Sequence, residues 1–469
     1  MLKKIAVRVL FALAVLVTGV ALYYTASLWH GRQAWRTYFK ACEATGELAP
    51  ENFMPAPAAD DQNLAKTPLF AELFPYRKDQ PHRLDALLLD IPRDLQMGSW
   101  QKGEQPQVRA ADLEALKSEN GATGWREATA LLDEVQKAMR DRPRCVYTRD
   151  PTAGLNEQPY PARPFHRTAM AFELRALCAV GERRAEAALA DVRSILQLGF
   201  LCPDAVPGMA ALLQQAAFHK ASRILWTGLA AGLWNEGQLA ELQRLFEDLN
   251  FLDTLKRRYI GERAIGAQYL ESQIEQGKIT PGYYGYPEGC GRPDCDSCSA
   301  IPRRQKVTGK AVAWLYPRGW QYQNLLELDR FNARYVLGCI RAEERRLDAR
   351  ILDEGEARMA ELQKTKILHA LVVNLLSHWN FHIEQAAQAQ DFVGYAVAAC
   401  AVERFRLARE RLPQSLGELV PEYLAAVPVR ALDGTPLEYR APAGDGYELF
   451  YPPESAARAE NKIWSWKKP

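Results

Sequence analysis

The segment from Thr168 to Gly199 reads TAMAFELRALCAVGERRAEAALADVRSILQLG. Its apolar residues recur every three or four positions on both sides of Gly181, which is the pattern of two amphipathic helices joined by a short turn. Small residues, mostly alanine, fall where two packed helices would come close together. The segment predicts a helical hairpin and, with it, a mainly α fold.

The stretches around this hairpin carry the same periodicity. The hairpin resembles one tetratricopeptide-like unit, but no second copy follows at the period of about 34 residues, so no solenoid is predicted. Within the helix predicted over 356–390, the stretch ILHALVVNLLSHW (Ile367–Trp379) is too short and too interrupted to span a bilayer, and we expect it to be a buried core helix. Further helices are predicted over 111–140, 204–229, 235–276, 321–354 and 356–390.

Composition places the chain among ordinary globular proteins. It has 469 residues, of which 48% are hydrophobic and 25% charged, enough apolar material for one large core or two smaller ones. The net charge is only +2, and basic residues are mixed with acidic ones. We therefore expect no nucleic-acid partner.

The N-terminus has the composition of a transmembrane segment. After MLKKIAVR, the run from Val9 to Trp29 contains 21 residues without a charge, which is long enough for a hydrocarbon core of about 30 Å. Tyr23 and Tyr24 lie near its far end, where aromatic rings favour the membrane interface. The alternative is a cleaved signal peptide, but Tyr24-Thr25-Ala26 is a poor cleavage site. We predict a signal anchor that stays in place.

Basic residues on the two sides of this span nearly balance. Lys3, Lys4 and Arg8 precede it, and three basic residues follow it: Arg32, Arg36 and Lys40. The positive-inside rule alone therefore does not fix the orientation. A tail of only eight residues favours a cytoplasmic N-terminus. We predict a single-pass protein of the inner (cytoplasmic) membrane, with residues 31–469 in the periplasm.

The C-terminal region differs from the helical body. A long helix is expected to end near Arg411, and Ser415 with Glu418 has the spacing of a capping box for a short second helix. The segments PLEYRA and YELFYP predict a β-hairpin after a turn at Asp433-Gly434. The sequence therefore predicts a small α+β tail. The predicted domains are 1–30 (anchor), 31–165 (irregular and helical), 166–397 (multi-helix body with a long loop, 277–318) and 398–469 (tail).

Two resemblances accompany these patterns. Over Ala398–Tyr451, and above all in LPQSLGELVPEYL, the tail resembles the C-terminal half of type II secretion major pseudopilins. It departs from them because its anchor lies far upstream and no acidic calcium loop follows. Through ENFM, LRALCAVGERRAEAALADVRSILQLG, GERA and PRGWQYQN the whole chain resembles single-anchor envelope proteins of planctomycete and verrucomicrobial bacteria. These resemblances imply an architecture and, as partners, envelope or secretion-system proteins.

Three cysteines lie close together in GCGRPDCDSCSA (Gly289–Ala300). Cys290, Cys295 and Cys298 form a C-x4-C-x2-C pattern, for which a disulfide, a metal site, redox exchange and an inert cluster are the alternatives. Outside the cytoplasm oxidation is the default, so we predict a disulfide clasp between Cys290 and Cys298 and no cofactor. Zinc at this cluster is the alternative, although zinc sites commonly need a second pair of ligands.

Two histidines offer a weaker metal candidate. His378 and His382 are four residues apart on one predicted helix face, near Glu384. This spacing can bind zinc, but two ligands do not make a site, so we interpret them as structural histidines.

Polar residues in two segments form the candidate ligand site. One segment contributes Glu262 and Arg263, on a predicted helix. The other segment opens a helix after a loop and contributes Arg318, Trp320, Gln323 and Asn324. A helix start beside an arginine such as Arg318 can bind an anion. The alternative is a structural ion pair within a helical bundle.

The sequence lacks the phosphate-loop, dinucleotide-binding and nucleophile-elbow motifs. We therefore predict a non-enzymatic envelope protein that binds or scaffolds other components. An anchored hydrolase with a cleft near Glu262 and Arg318, and a metal-binding protein that uses the cysteine cluster, are the alternatives.

Overall fold

The computed structural model is mainly helical, with 72% of residues in helices. It describes residues 2–48, 58–73, 82–87, 124–146, 161–201, 207–279, 316–376, 379–441, 446–452 and 464–467. The α-helices are α1 Leu2–Ala44, α2 Pro68–Ala71, α3 Trp125–Asp141, α4 Ala162–Gly181, α5 Ala185–Gly199, α6 Pro207–Ala230, α7 Glu236–Glu247, α8 Phe251–Glu275, α9 Arg318–Phe331, α10 Ala349–Lys364, α11 Ala370–Leu375 and α12 Trp379–Arg409.

Shorter elements complete the described chain. A single π-helical turn, Asn332–Val336, follows α9, and 3₁₀ turns cover Leu64–Lys66, Arg83–Leu87 and Leu416–Leu419. The strands, all antiparallel, form one two-stranded and one three-stranded sheet. They are β1 Ile340–Arg341, β2 Arg346–Leu347, β3 Glu438–Arg440, β4 Gly446–Phe450 and β5 Trp464–Lys467.

The predicted hairpin from Thr168 to Gly199 is confirmed as α4 and α5. The first helix ends at Gly181, and Arg183 takes a positive φ of 57°, which lets the chain reverse. The Arg184 N–H then donates to the Ala179 carbonyl, so one of the last carbonyls of α4 has a partner.

The described chain divides into two compact units. Unit 1 comprises 1–53, 259–339 and 348–383, and unit 2 comprises 54–258, 340–347 and 384–469. Each unit is therefore built from separate stretches of sequence. The predicted boundary at 397/398 falls inside α12.

Unit 2 contains the helical hairpin. Arg175 and Asp191 join α4 to α5 through paired hydrogen bonds, the shortest 2.6 Å long, and Gln136 of α3 donates to Asp191 over 2.9 Å. Desolvation raises the pKa of the buried Asp191 carboxyl, and Arg175 opposes that rise. The network connects α3, α4 and α5, whose buried residues are otherwise mostly apolar.

The C-terminal tail also packs within unit 2. Tyr447 on β4 is fully buried, and its hydroxyl lies 3.5 Å from the Ala399 carbonyl of α12. The Ala431 N–H donates to Asp391 of α12 over 2.6 Å. Two details differ from the sequence analysis. A third strand, β5, pairs with β4. Ser415 makes no side-chain cap, and Glu418 accepts from the Gln414 N–H and not from the Ser415 N–H that a capping box requires.

The predicted continuous helix over 321–354 is interrupted. α9 ends at Phe331, and the chain forms the β1–β2 hairpin before Asp348 caps α10 by accepting from the Ile351 N–H. Arg345 takes a positive φ of 55° in the turn of this hairpin, a backbone conformation that no helix can contain.

The apolar stretch from Ile367 to Trp379 is not the buried core helix that its composition predicts. Among its described residues, Ala370–Leu375 form the six-residue α11 and Trp379 begins α12, and Leu371 and Val372 are buried. Ile367 and Leu368 are instead 69% and 42% exposed. The reason is that the chain turns between α10 and α11, so one side of the stretch points away from the core.

In the described chain, α1 is the one helix long and apolar enough to cross a membrane, and its most apolar window is fully exposed. It has 43 residues and is about 64 Å long at 1.5 Å per residue. Its second half belongs to the core of unit 1, where Trp35 is fully buried.

Candidate functional site

The six candidate ligand residues lie in unit 1 in different environments. Arg263 and Asn324 are 7% and 1% exposed, whereas Arg318 and Gln323 are exposed at the surface. The other two, Glu262 and Trp320, are half-buried. Arg263 and Asn324 belong to two hydrogen-bond groups with different members, so the structure does not bring the six residues into one cleft.

Arg263 forms the centre of the first group. Its Nε and Nη2 donate to the two carboxylate oxygens of Asp329, each over 2.9 Å. Its Nη1 donates to Glu47 over 2.9 Å, and its Nη2 also lies 3.1 Å from the Tyr38 hydroxyl. Tyr38 in turn donates to Asp329 over 2.7 Å. We call Arg263, Asp329, Glu47, Tyr38 and Cys42, whose sulfur is 3.7 Å from Nη2, the Arg263 cluster.

Charge pairing keeps this buried arginine protonated. Desolvation by itself would lower the pKa of the Arg263 guanidinium, but the hydrogen bonds and charge of Asp329, with that of Glu47, outweigh burial and raise it. A bidentate pair of this kind satisfies both partners in a low-dielectric environment. The role of the arrangement is to hold helices together, because the guanidinium donates from all three of its nitrogens to protein groups.

The cluster joins three helices. Tyr38 and Cys42 are four residues apart on one face of α1, and Arg263 and Asp329 come from α8 and α9. A second contact lies nearer the N-terminus of α1, where Arg32 donates to Glu275 of α8 over 2.6 Å. α1 is therefore bonded to α8 at two levels.

The packing of α1 on α9 depends on two glycines. A Cβ added at Gly319 would overlap the backbone of Ser27, and one added at Gly31 would overlap the Gly319 carbonyl. The two backbones therefore approach more closely than any larger side chain allows. This contact lies at the N-terminal end of α9.

Asn324 is the centre of the second group. Its amide nitrogen donates to the Leu368 carbonyl over 2.6 Å and to the Trp320 carbonyl over 2.7 Å. The Tyr316 hydroxyl donates to the same Leu368 carbonyl over 2.7 Å, and burial raises the pKa of Tyr316 to about 12. Trp320 donates from its indole nitrogen to the Tyr23 hydroxyl over 3.1 Å. Trp320 and Asn324 thus connect α1, α9 and the segment before α11.

The cysteine cluster lies outside the described residues, as does His378. His382 and Glu384 are described and both are exposed. Among the described residues, no group of three histidine, cysteine or acidic side chains could hold a metal ion. The cysteines in these segments are buried and no disulfide is found among them: Cys42, Cys145, Cys178, Cys339 and Cys400.

Comparison with known proteins returned no match. No family model, curated protein or solved structure matches this chain. Function is therefore argued from the residues and their geometry.

Sequence reasoning missed Tyr38, Glu47 and Asp329. A signal for Tyr38 existed: Gly31, Trp35, Tyr38 and Cys42 follow helical spacing in a segment that is otherwise polar. That spacing marks a buried face on the continuation of the anchor. Asp329 had no comparable signal because it lies among apolar residues of α9, and sequence alone does not show which arginine faces it.

Proposed function

We propose that this chain is a single-pass envelope protein whose body binds or scaffolds other components at a fixed position above the membrane. One observation carries the proposal. The helix with the apolar run, α1, continues without a break into unit 1 and supplies part of its core. The anchor is therefore an element of the fold and not a tether attached to it.

A rigid connection has a mechanical consequence. A flexible linker would let the body turn freely, whereas a continuous helix transmits height and orientation. The Arg263 cluster and the Gly31–Gly319 contact fix α1 against α8 and α9. A protein that holds partners at a defined place on a membrane needs this stiffness, which supports the scaffolding interpretation.

The proposed orientation places residues 31–469 outside the cytoplasm. The pseudopilin-like tail supports envelope or secretion-system partners by analogy. A reporter that is active only outside the cytoplasm, fused after Pro469, should be active. A matched reporter that works only in the cytoplasm should be silent, and the opposite pattern would reject the orientation.

Partner binding is tested by purification in mild detergent. The intact chain should recover envelope proteins. A variant with six Gly-Ser residues inserted between Trp29 and His30 should stay in the membrane but recover less of them. Recovery of the lone protein from native membranes would contradict the proposal.

The two alternatives have separate tests. The hydrolase interpretation gains no support from Arg263 and Asn324, because both are engaged in packing of unit 1. Zinc at Cys290, Cys295 and Cys298 is tested by metal analysis of protein purified without an affinity tag. About one zinc per chain, lost on substitution of these cysteines, would favour the metal-binding interpretation.

A further inference from the structure

The loop from Thr365 to His369, between α10 and α11, exposes two large apolar side chains. Ile367 is 69% and Leu368 42% exposed. Removing side chains of this kind from water is favourable, so adjacent exposed ones make the loop a candidate for contact with an apolar partner or a membrane. We call this segment the 365–369 loop.

A chain of hydrogen bonds places the loop beside the apolar run of α1. The Leu368 carbonyl accepts from Asn324, and Asn324 also donates to the Trp320 carbonyl. Trp320 then donates to Tyr23, which lies inside the uncharged run that ends at Trp29. The loop is therefore connected to the anchor at the level where the anchor is still apolar.

Helix directions within unit 1 agree with this placement. Gly319 meets Ser27 and Asp329 meets Tyr38, so α9 runs parallel to α1. Glu327 pairs with Arg358 of α10. Arg334, which follows α9, pairs with Glu354, which is earlier in α10. Hence α10 runs antiparallel to α9, and its C-terminal end returns towards the apolar run.

The charges around the loop suit a lipid surface. Lys364 and Lys366 are both exposed and come just before Ile367, and no acidic residue occurs between Lys364 and His369. Arg318 is exposed at the start of α9, close to Trp320. Apolar side chains beside lysines, with a tryptophan at the same level, are the composition of membrane-interface segments.

We propose that the 365–369 loop is a second membrane contact of this protein. Ile367 and Leu368 enter the interfacial layer of the leaflet from which α1 emerges, and Lys364 and Lys366 face anionic lipid headgroups. The proposal rests on α1 spanning the membrane. Two contacts, the helix and the loop, fix the rotation of unit 1 about the axis of α1, which a single helix leaves free.

Depth measurement on the full chain tests the proposal. The chain carries nine cysteines, so a non-canonical residue at position 367 is labelled by click chemistry with an environment-sensitive fluorophore. The chain is reconstituted in nanodiscs whose lipids carry bromine near the headgroups. Position 350, at the other end of α10, is the matched control, about 21 Å along the helix from its last residue, Lys364.

The expected result is severalfold stronger bromine quenching at position 367 than at position 350. If the chains co-elute with nanodiscs but quenching is equally weak at both positions, the loop proposal is overturned and the proposal that α1 spans the membrane stands. A protein partner would then be the alternative occupant of the loop. Failure to co-elute shows that α1 does not span, which rejects the proposed function and this inference together.

A second experiment tests whether the loop contacts anionic lipid. The double variant Lys364→Glu/Lys366→Glu should lose most of the quenching at position 367 in nanodiscs with anionic lipid. Each lysine near such a surface changes the equilibrium about fivefold. The control variant Arg350→Glu should retain the wild-type quenching. Equal quenching by the double variant and the wild type in anionic nanodiscs would contradict the headgroup assignment.

Discussion

Arg263 joins α1 to α8 and α9 within unit 1. It pairs with Asp329 in the interior and reaches Glu47 beyond the end of α1. Removing one partner of a buried ion pair leaves the other charge without compensation, which costs more than the intact pair contributes. The cluster therefore makes unit 1 sensitive to single substitutions.

We expect Arg263→Met to lower the free energy of unfolding of unit 1 by about 3–5 kcal/mol, because the buried Asp329 loses its ion-pair partner. Thermal unfolding of the full chain in detergent, followed by tryptophan fluorescence, measures this. The matched control is Arg334→Met, which removes an exposed pair with Glu354 and should change stability by less than about 1 kcal/mol. Equal effects of the two substitutions would show that the cluster is not structural.

His166 on α4 predicts a pH dependence in unit 2. Burial lowers the pKa of its imidazole below the ordinary value of 6.5, and the charge of Lys220 lowers it further. The unfolded chain therefore binds a proton first as the pH falls below about 6.5. The free energy of unfolding of unit 2 should therefore fall as the pH drops from about 6.5 towards the folded-state pKa of His166. This one group contributes at most about 1.4 kcal/mol per pH unit.

The measurement compares the wild type with His166→Gln at pH 7.5 and 5.0. The variant should lose less stability than the wild type between the two values, because glutamine does not titrate. An identical pH dependence in both proteins would show that another group is responsible.

At the scale of elements, the crossing of α1 and α9 decides how the anchor packs. We expect Gly319→Ala to destabilise unit 1 by about 1–3 kcal/mol, because its Cβ would overlap the Ser27 backbone. Gly261→Ala in α8 is the matched control, since no atom lies within 4 Å of its added Cβ. That substitution should stabilise the helix by up to about 1 kcal/mol. Unfolding midpoints that move in the same direction would contradict the close-contact interpretation.

At the scale of the whole molecule, α1 has two roles in one helix. Deleting residues 2–20 should release the chain from membranes washed with alkaline carbonate but preserve the unfolding transition of unit 1. Deleting residues 2–44 should abolish that transition, because Trp35 and Tyr38 are lost from the core. If deleting residues 2–20 also abolished the unfolding transition of unit 1, the apolar run itself would be part of the core.

The sequence by itself determined the elements whose signals are local. The charge-free run at the N-terminus, the hairpin from Thr168 to Gly199 and most helix positions follow from periodicity and composition, which act within a few residues. The hairpin turn at 340–347 escaped prediction because its flanks continue the helical pattern, and the turn depends on a positive φ at Arg345.

Only the tertiary structure decided which residues meet. Arg263, Asp329 and Tyr38 are far apart in sequence, and nothing local selects one arginine over its neighbours as the buried one. Tertiary packing likewise left Ile367 exposed, although it belongs to an apolar stretch that favours burial. The reason is that the surrounding helices determine which side of a turn faces the core. Local patterns fix where a helix forms, but the partners of its side chains depend on contacts that no short stretch of sequence contains.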